Sequence, residues 1–297
     1  MTEHSRILLT GASGWFGRSF ISEYVKHNGI KSISNLTLVT SDGRDITHPL
    51  LSFTLKTITF DDARKLSGYD TIIQSSFLTR DKIDTLGPQR YSAICQAIID
   101  SAREIIQQNP RSQVFLISSG AVYNDQSLYG IYKRIEEETF KAIIQQNLTV
   151  FRIFGATTRF MDYRNWSAIC NFIKASKRKT NIHIESNKEI SRGMVCMEDL
   201  SRLVLKMMTP DIDIPRPNIV CDAVSDIATI REIAELCISS ENKVILPKKF
   251  NYHDFDDSYV GDPKLFLNLG SNLNVTLKKR HKQILSAINN LYPETYT

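Results

Sequence analysis

Three side chains in this 297-residue chain have the types and spacing for acid–base chemistry. Tyr129 and Lys133 stand four apart in Tyr129-Gly130-Ile131-Tyr132-Lys133, so a helix puts both on one face. An ammonium beside a phenol stabilises the phenolate and lowers the tyrosine pKa towards working pH. Upstream, Val114–Ser118 reads as a strand, and Ser119 and Gly120 follow at its end. A hydroxyl there can hold a substrate oxygen. An acid/base, a group that tunes it and an oxygen anchor are what hydride transfer at a carbinol or ketone needs. Tyr-x-x-x-Lys alone arises by chance in a chain of this size, so its weight comes from context.

That context begins at the N-terminus. Ile7-Leu8-Leu9 runs into Thr10-Gly11-Ala12-Ser13-Gly14-Trp15-Phe16-Gly17. A strand, a glycine-rich turn and a helix in that order form a dinucleotide site. Gly11 makes the turn, Gly14 admits a pyrophosphate, and Gly17 lets the helix pack on the strand. The free N–H groups of the helix then face the phosphates, with Ser13, Trp15 and Phe16 beside them. The end of the second strand selects the cofactor. An acid there bonds the ribose hydroxyls of NAD, and a nearby Arg suits the 2′-phosphate of NADP. The chain reads Thr40-Ser41-Asp42-Gly43-Arg44. Thr40 stands in the acid's place, and Ser41 and Arg44 favour NADP. Asp42, displaced by the turn, keeps NAD open.

These groups need a scaffold. Strands are expected at Arg6–Leu9, Leu36–Val39, Leu55–Phe60, Asp70–Ile73, Val114–Ser118 and Leu148–Phe151. Helices are expected at Trp15–His27, Gln89–Gln107 and Ile131–Gln146. Strand and helix alternate, which specifies an α/β, Rossmann-type, doubly wound parallel sheet. The second half is more mixed and reads as a smaller C-terminal α/β substrate domain. We place the dinucleotide domain at 1–155 and the substrate domain at 156–297, with segments near 193–225 returning to the first sheet.

Composition sets bounds on function. Hydrophobic residues make up 42% and charged residues 23%, ordinary for a soluble globular protein. A net charge of +5 is mild and suits an anionic small molecule better than nucleic acid. The run Lys278-Lys279-Arg280-His281-Lys282 reads as one charged helix face. Five Cys without a CxxC pair read as free thiols in a reducing cytoplasm. The six His have no metal spacing. No run approaches the roughly 20 apolar residues of a membrane span, and no signal peptide is visible. A homodimer is compatible with all of this.

The chain resembles the extended short-chain dehydrogenase/reductases, a family of nucleotide-sugar epimerases, dehydratases and ketoreductases. The resemblance covers nearly the whole chain. TGASGWFG looks like the family's TGxxGxxG, SSGAVY like its SSxxVY, and YGIYK like its YGxSK. It implies Ser119 as catalytic hydroxyl, Tyr129 as acid/base, and Lys133 on the cofactor ribose. Phe151-Arg152-Ile153-Phe154 is similar to LRxF, and Ser191–Leu200 to RDFxxVxDL. By that match Ile153 and Phe154 lie by the cofactor, and Gly155 by the substrate. Arg192 meets a nucleotide diphosphate, and Asp199 starts a structural helix. The chain also departs from the pattern. The usual HLAA reads Gln74-Ser75-Ser76-Phe77; Ser75, Ser76 and Phe77 would take its cofactor contacts. Tyr91 and Gly155 replace asparagines. Gly120-Ala121 stands where 4,6-dehydratases carry an acid pair, which argues against dehydration. Arg159, Tyr163, Arg164 and Trp166 are placed to line a pocket or anchor a loop.

The implied activity is NAD(P)-dependent redox at a sugar carbon, C4, of a nucleotide-linked sugar, as ketoreductase or epimerase. Two rivals stand beside it. One is a reductase of a non-sugar carbonyl compound. The other is a non-catalytic dinucleotide sensor on the same fold.

Overall fold

The computed structural model describes residues 5–51, 53–124, 126–161, 167–208, 216–256 and 259–290. The chain divides into two compact units. One comprises Met1–Arg152 and Ser201–Cys221, the other Ile153–Leu200 and Asp222–Thr297.

The first unit is built on a central parallel sheet. Its strands are β1 (Ile7–Thr10), β2 (Leu36–Val39), β3 (Thr71–Gln74), β4 (Gln113–Ser119), β5 (Leu148–Ile153) and β6 (Ile219–Ala223). Their spatial order is β6-β5-β4-β3-β1-β2. Strand β1 pairs in parallel with β2, Thr10 opposite Val39, and with β3, Leu9 opposite Ile73. Strand β3 pairs in parallel with β4, Gln74 opposite Leu116. The apolar runs are buried throughout, as a sheet covered on both faces requires. Three helices matter to the site: α1 (Trp15–Asn28), α2 (Pro88–Gln107) and α3 (Leu128–Ile143). Leu8, Ile72, Val114 and Leu116 form one core with Ala102 and Ile105 of α2 and Phe140 of α3. Burying each large side chain there contributes about 2 kcal/mol.

The expected strand at Leu55–Phe60 does not form. Leu55 belongs to a two-residue pairing with Ile46–Thr47, and only Ile58 bridges to β2, at Val39. Thr59 ends the extended run: its hydroxyl accepts from the Asp62 amide and caps a short helix, Phe60–Ala63. A cap residue with two acids behind it outcompetes strand pairing. Helix α3 starts before the expected Ile131 because Ser127 caps it through the Gly130 amide.

In the second unit, Lys188–Cys196 carries the neighbouring strands. Asp226–Thr229 pairs with it antiparallel, and Gly155–Thr157 and Asn251–Asp256 pair with it in parallel. Gly155 lies opposite Met194 in that sheet, and a Cβ there would stand 2.7 Å from the Gly193 oxygen. Asp199 lies in the first turn of the helix Met197–Met207 and accepts from the Lys278 ammonium at 2.9 Å. The basic run is therefore not one helix face. Its helix begins at Arg280, Lys278 is held by Asp199, and Arg280 pairs with Glu232 at 2.9 Å. Among the described residues, no helix is long and apolar enough to cross a membrane, and no group of His, Cys, Asp and Glu is set to hold a metal. All five cysteines are buried, and none is in a disulfide.

Candidate active site

The sheet of the first unit brings the glycine turn, Thr40, Ser75–Phe77 and Ser119 to the carboxyl ends of its strands, where open α/β sheets bind ligands. At the end of β1, Gly11 takes φ +69°, a conformation suited to glycine. A Cβ on it would lie 2.8 Å from the Ser76 amide and 2.9 Å from the Ser75 oxygen. A Cβ on Gly17 would overlap the Gly11 carbonyl oxygen. Helix α1 then opens at Gly14 with no side-chain cap and no acid in its first turn. Its amides and positive dipole end are left to an external anion. Ser13 and Gly14 are exposed and Trp15 half-buried. Phe16 is in the core, its ring 6.1 Å from Phe20, so only its backbone is available to a ligand. The cradle has the shape and donor set for a pyrophosphate.

The Ser75–Phe77 segment is tied to this turn. The amides of Ser75 and Ser76 donate to the Thr10 hydroxyl at 3.0 and 3.1 Å, and the Ser75 hydroxyl donates to the Thr10 carbonyl at 2.5 Å. At the end of β2, Thr40 is buried and its hydroxyl meets that of Thr57 at 2.9 Å. Ser41, Asp42 and Arg44 are exposed, and Arg44 pairs with Asp42 at 2.8 Å. An acid and a base share this corner, which is why neither residue alone announces the cofactor.

The residues expected to do acid–base chemistry stand at the end of β4 and the start of α3. Ser119 is buried; its hydroxyl accepts from the Ala121 amide at 3.2 Å and is hydrogen-bonded to the Tyr129 side chain. Gly130 makes this approach possible. A Cβ there would overlap the Ala121 carbonyl oxygen, so α3 packs directly on the turn Gly120–Tyr123. Lys133, one helical turn on, is 3% exposed. Its ammonium donates to the Ile117 carbonyl at 3.1 Å and to Glu136 at 2.8 Å, and lies 4.0 Å from the Phe77 ring centre. The Phe77 ring in turn meets Tyr129 edge-on at 6.2 Å.

One expectation differs. The Tyr129 phenol is not held below its ordinary range. Burial pushes Tyr129 up to about 12; the Ser119 hydrogen bond opposes this, and the Glu136 charge adds to it. Burial is the main reason, and the Lys133 ammonium is meanwhile engaged by the buried Glu136 carboxylate. Glu136 was not legible as a site residue. It sits in Glu136-Glu137-Glu138, which reads as a solvated face, yet Glu136 and Glu137 are both buried. Glu137 takes Arg152 at 2.7 Å and the Ser118 hydroxyl at 2.6 Å. The one available signal was the i, i+3 spacing of Glu136 from Lys133.

The second unit carries the other expected residues. Arg192 is half-buried and lies 5.6 Å from the Tyr259 ring centre; its guanidinium donates to the Ser191 carbonyl at 2.7 Å. Burial lowers its pKa, against the pull of Asp256. Asp256 itself pairs with Lys188 at 3.8 Å. Phe154 packs edge-on against Tyr259 at 5.0 Å. Ile153 and Gly155 are half-buried on either side of it. Arg159 pairs with Glu198 at 3.5 Å, which gives it a structural partner. Tyr163, Arg164 and Trp166 lie outside the described residues.

Solved structures with this architecture cover nearly the entire chain. UDP-N-acetylglucosamine 4-epimerase from Methanobrevibacter ruminantium M1 matches 96% of it over 97% of its own length, with TM-score 0.70 and 15% identity. L-Threonine 3-dehydrogenase from Trypanosoma brucei matches 96% over 96%, with TM-score 0.69 and 13% identity. MoeE5, solved with UDP-glucose and NAD, matches 96% over 98%, with TM-score 0.64 and 16% identity. This chain has the fold of the extended short-chain dehydrogenase/reductases. No protein-family model and no curated protein sequence matches it.

Proposed function

We propose that the protein is an NAD(P)-dependent oxidoreductase acting at C4 of a nucleotide-linked sugar, as a 4-ketoreductase or 4-epimerase. The observation that carries this reading is the Ser119–Tyr129 hydrogen bond beside Lys133, in the same unit as the Gly11–Gly17 cradle. Gly11, Gly14, Gly17 and the amides of α1 hold the pyrophosphate. The bound nicotinamide dinucleotide supplies or accepts the hydride. Ser119 holds the reacting oxygen, and Tyr129 gives or takes its proton. Lys133 reaches the cofactor ribose on exchanging one of its present partners. Ser41 and Arg44 favour NADP, and a consumed NADPH fits a reductase better than an epimerase, which regenerates its own cofactor. Arg192 takes the substrate diphosphate, because a half-buried guanidinium whose burial disfavours its charge gains from an anion. The solved epimerase and MoeE5 complexes, with UDP-linked sugars, support this class. Buried thiols and the lack of a spanning helix among the described residues fit a cytoplasmic location.

The test is turnover on a panel of nucleotide sugars and their 4-keto forms, followed by nicotinamide absorbance and by product analysis. The Tyr129→Phe variant should lose at least about a hundredfold, the range of a missing general acid. Dinucleotide binding without turnover on any member would favour a sensor. The likeness to L-threonine 3-dehydrogenase supports a second reading, a non-sugar carbonyl substrate. Absence of binding to any nucleoside diphosphate would select it.

A further inference from the structure

The mechanism above gives no role to the buried carboxylate that pairs with Lys133. Glu136 is 0% exposed, and an isolated carboxylate there would be strongly disfavoured. Both its oxygens are engaged. One accepts from the Lys133 ammonium at 2.8 Å, and the other from the Gln74 amide at 3.1 Å. The same Gln74 nitrogen also meets the Ser76 carbonyl at 2.9 Å, and the Gln74 oxygen accepts from the Thr10 hydroxyl at 2.7 Å. Thr10 in turn anchors the Ser75 and Ser76 amides. One buried chain of hydrogen bonds thus runs from the glycine turn to Lys133. Lys133 has three donors. Ile117 and Glu136 take two, and the Phe77 ring covers the ammonium.

We propose that Glu136 is a positioning residue that cancels the Lys133 charge and keeps Tyr129 a protonated acid, which biases this site towards reducing a carbonyl group. This rests on the redox reading above and gives it a direction. In that step the carbonyl carbon takes hydride, with two electrons, from a reduced nicotinamide dinucleotide. The carbonyl π bond breaks, its oxygen takes the Tyr129 proton, and the phenolate recovers a proton from solvent. A site that works as a base needs the opposite: an uncompensated cation beside the phenol. The groups around Tyr129 leave Glu136 as the deciding charge. Ser119 hydrogen-bonds it from β4. The Glu136 charge reaches it from α3, where Glu136 is paired with Lys133 and neighbours Glu137. Cys95 and Tyr91 face it from α2. Burial holds both α2 groups above their ordinary pKa values, Cys95 at about 11, so neither carries charge near neutrality.

The test needs neither substrate nor cofactor. Tyr129 ionisation is read as tyrosinate absorbance, taking the difference from Tyr129→Phe. The parent should show no Tyr129 step below about pH 11. Glu136→Gln should bring the step down by about 1 pH unit or more, the size of an uncompensated neighbouring cation. Glu136→Asp, which keeps the charge, should restore the parent curve. An unshifted or raised step in Glu136→Gln would overturn the proposal. If that variant does not fold, the paired variant Lys133→Met with Glu136→Gln removes both charges. Its Tyr129 step should stay within about half a unit of the parent. A downward shift of about 1 unit there would show that Glu136 acts without cancelling Lys133, and would overturn the proposal equally. In turnover assays, Glu136→Gln should move the alkaline limit of carbonyl reduction down by the same interval with KM unchanged. No turnover in any variant would count against the redox reading alone, because the titration judges Glu136 separately.

Discussion

Replacing Lys133 with Met removes one partner of an ion pair that is almost wholly shielded from water. The Lys133 side chain is 4% exposed and that of Glu136 is 0%, so solvent screening does not discount the interaction. Breaking such a pair leaves a buried carboxylate without its counter-charge, at a cost of about 3 kcal/mol or more. That is about a hundredfold in the folding equilibrium. Much of the cost depends on Glu136 staying ionised. Burial already holds the Glu136 carboxyl above its ordinary value, against the opposing pull of Lys133, and removing Lys133 raises it further. A folded-state pKa above the unfolded one means that the folded protein binds the extra proton. The stability of Lys133→Met is therefore full below the ordinary carboxylate range. It is lost as pH rises through the raised folded value. Urea denaturation of parent and variant at pH 5 and pH 8 measures this. The account predicts a small difference at the lower pH and a loss of about 3 kcal/mol at the higher. A loss below about 1 kcal/mol at pH 8, or one equal at both pH values, would refute the buried-pair reasoning.

Three further variants probe other parts of the account. Gly130→Ala drives a Cβ into the Ala121 carbonyl oxygen; kcat should fall at least about tenfold through misplacement of Tyr129, while dinucleotide binding, measured calorimetrically, is kept. Arg44→Ala should weaken NADPH about tenfold and leave NADH unchanged, if the guanidinium leaves Asp42 for a 2′-phosphate; competitive fluorescence titration distinguishes the two. Arg192→Ala should weaken a nucleoside diphosphate by about 2 kcal/mol, the scale of a charge-assisted hydrogen bond, with dinucleotide affinity unchanged in the same calorimetric assay.

Local structure in this chain was legible, and long-range contacts were not. The turn at Gly11–Gly17 and the Tyr129–Lys133 spacing are properties of short segments, and each folds where its residues direct it. The expected strand at Leu55–Phe60 failed because Thr59 caps a helix, a local signal that apolar content outweighed. Glu136 was missed for a different reason. Its partners, Lys133 and Gln74, come from one helix turn away and from β3, and a run of three acids does not say that Glu136 and Glu137 turn inward. Gln74 registered only as a departure from a familiar motif. Its use, bridging Thr10 to Glu136, is visible only once β1 and β3 are paired. The cofactor choice stays balanced in the structure for the reason it was balanced in the sequence: Asp42 and Arg44 occupy the same corner and hold each other.

The claim on which all else depends is that the glycine turn holds a nicotinamide dinucleotide. Gly11→Ala tests it: the new Cβ would stand 2.8 Å from the Ser76 amide, at a backbone φ of +69°. The measurement is titration of the purified chain with NADPH and NADH, read by nicotinamide fluorescence. The account predicts saturable binding of at least one of them by the parent, weakened at least about tenfold in Gly11→Ala. Failure of both to bind the folded parent, or equal binding by a folded Gly11→Ala, would contradict it.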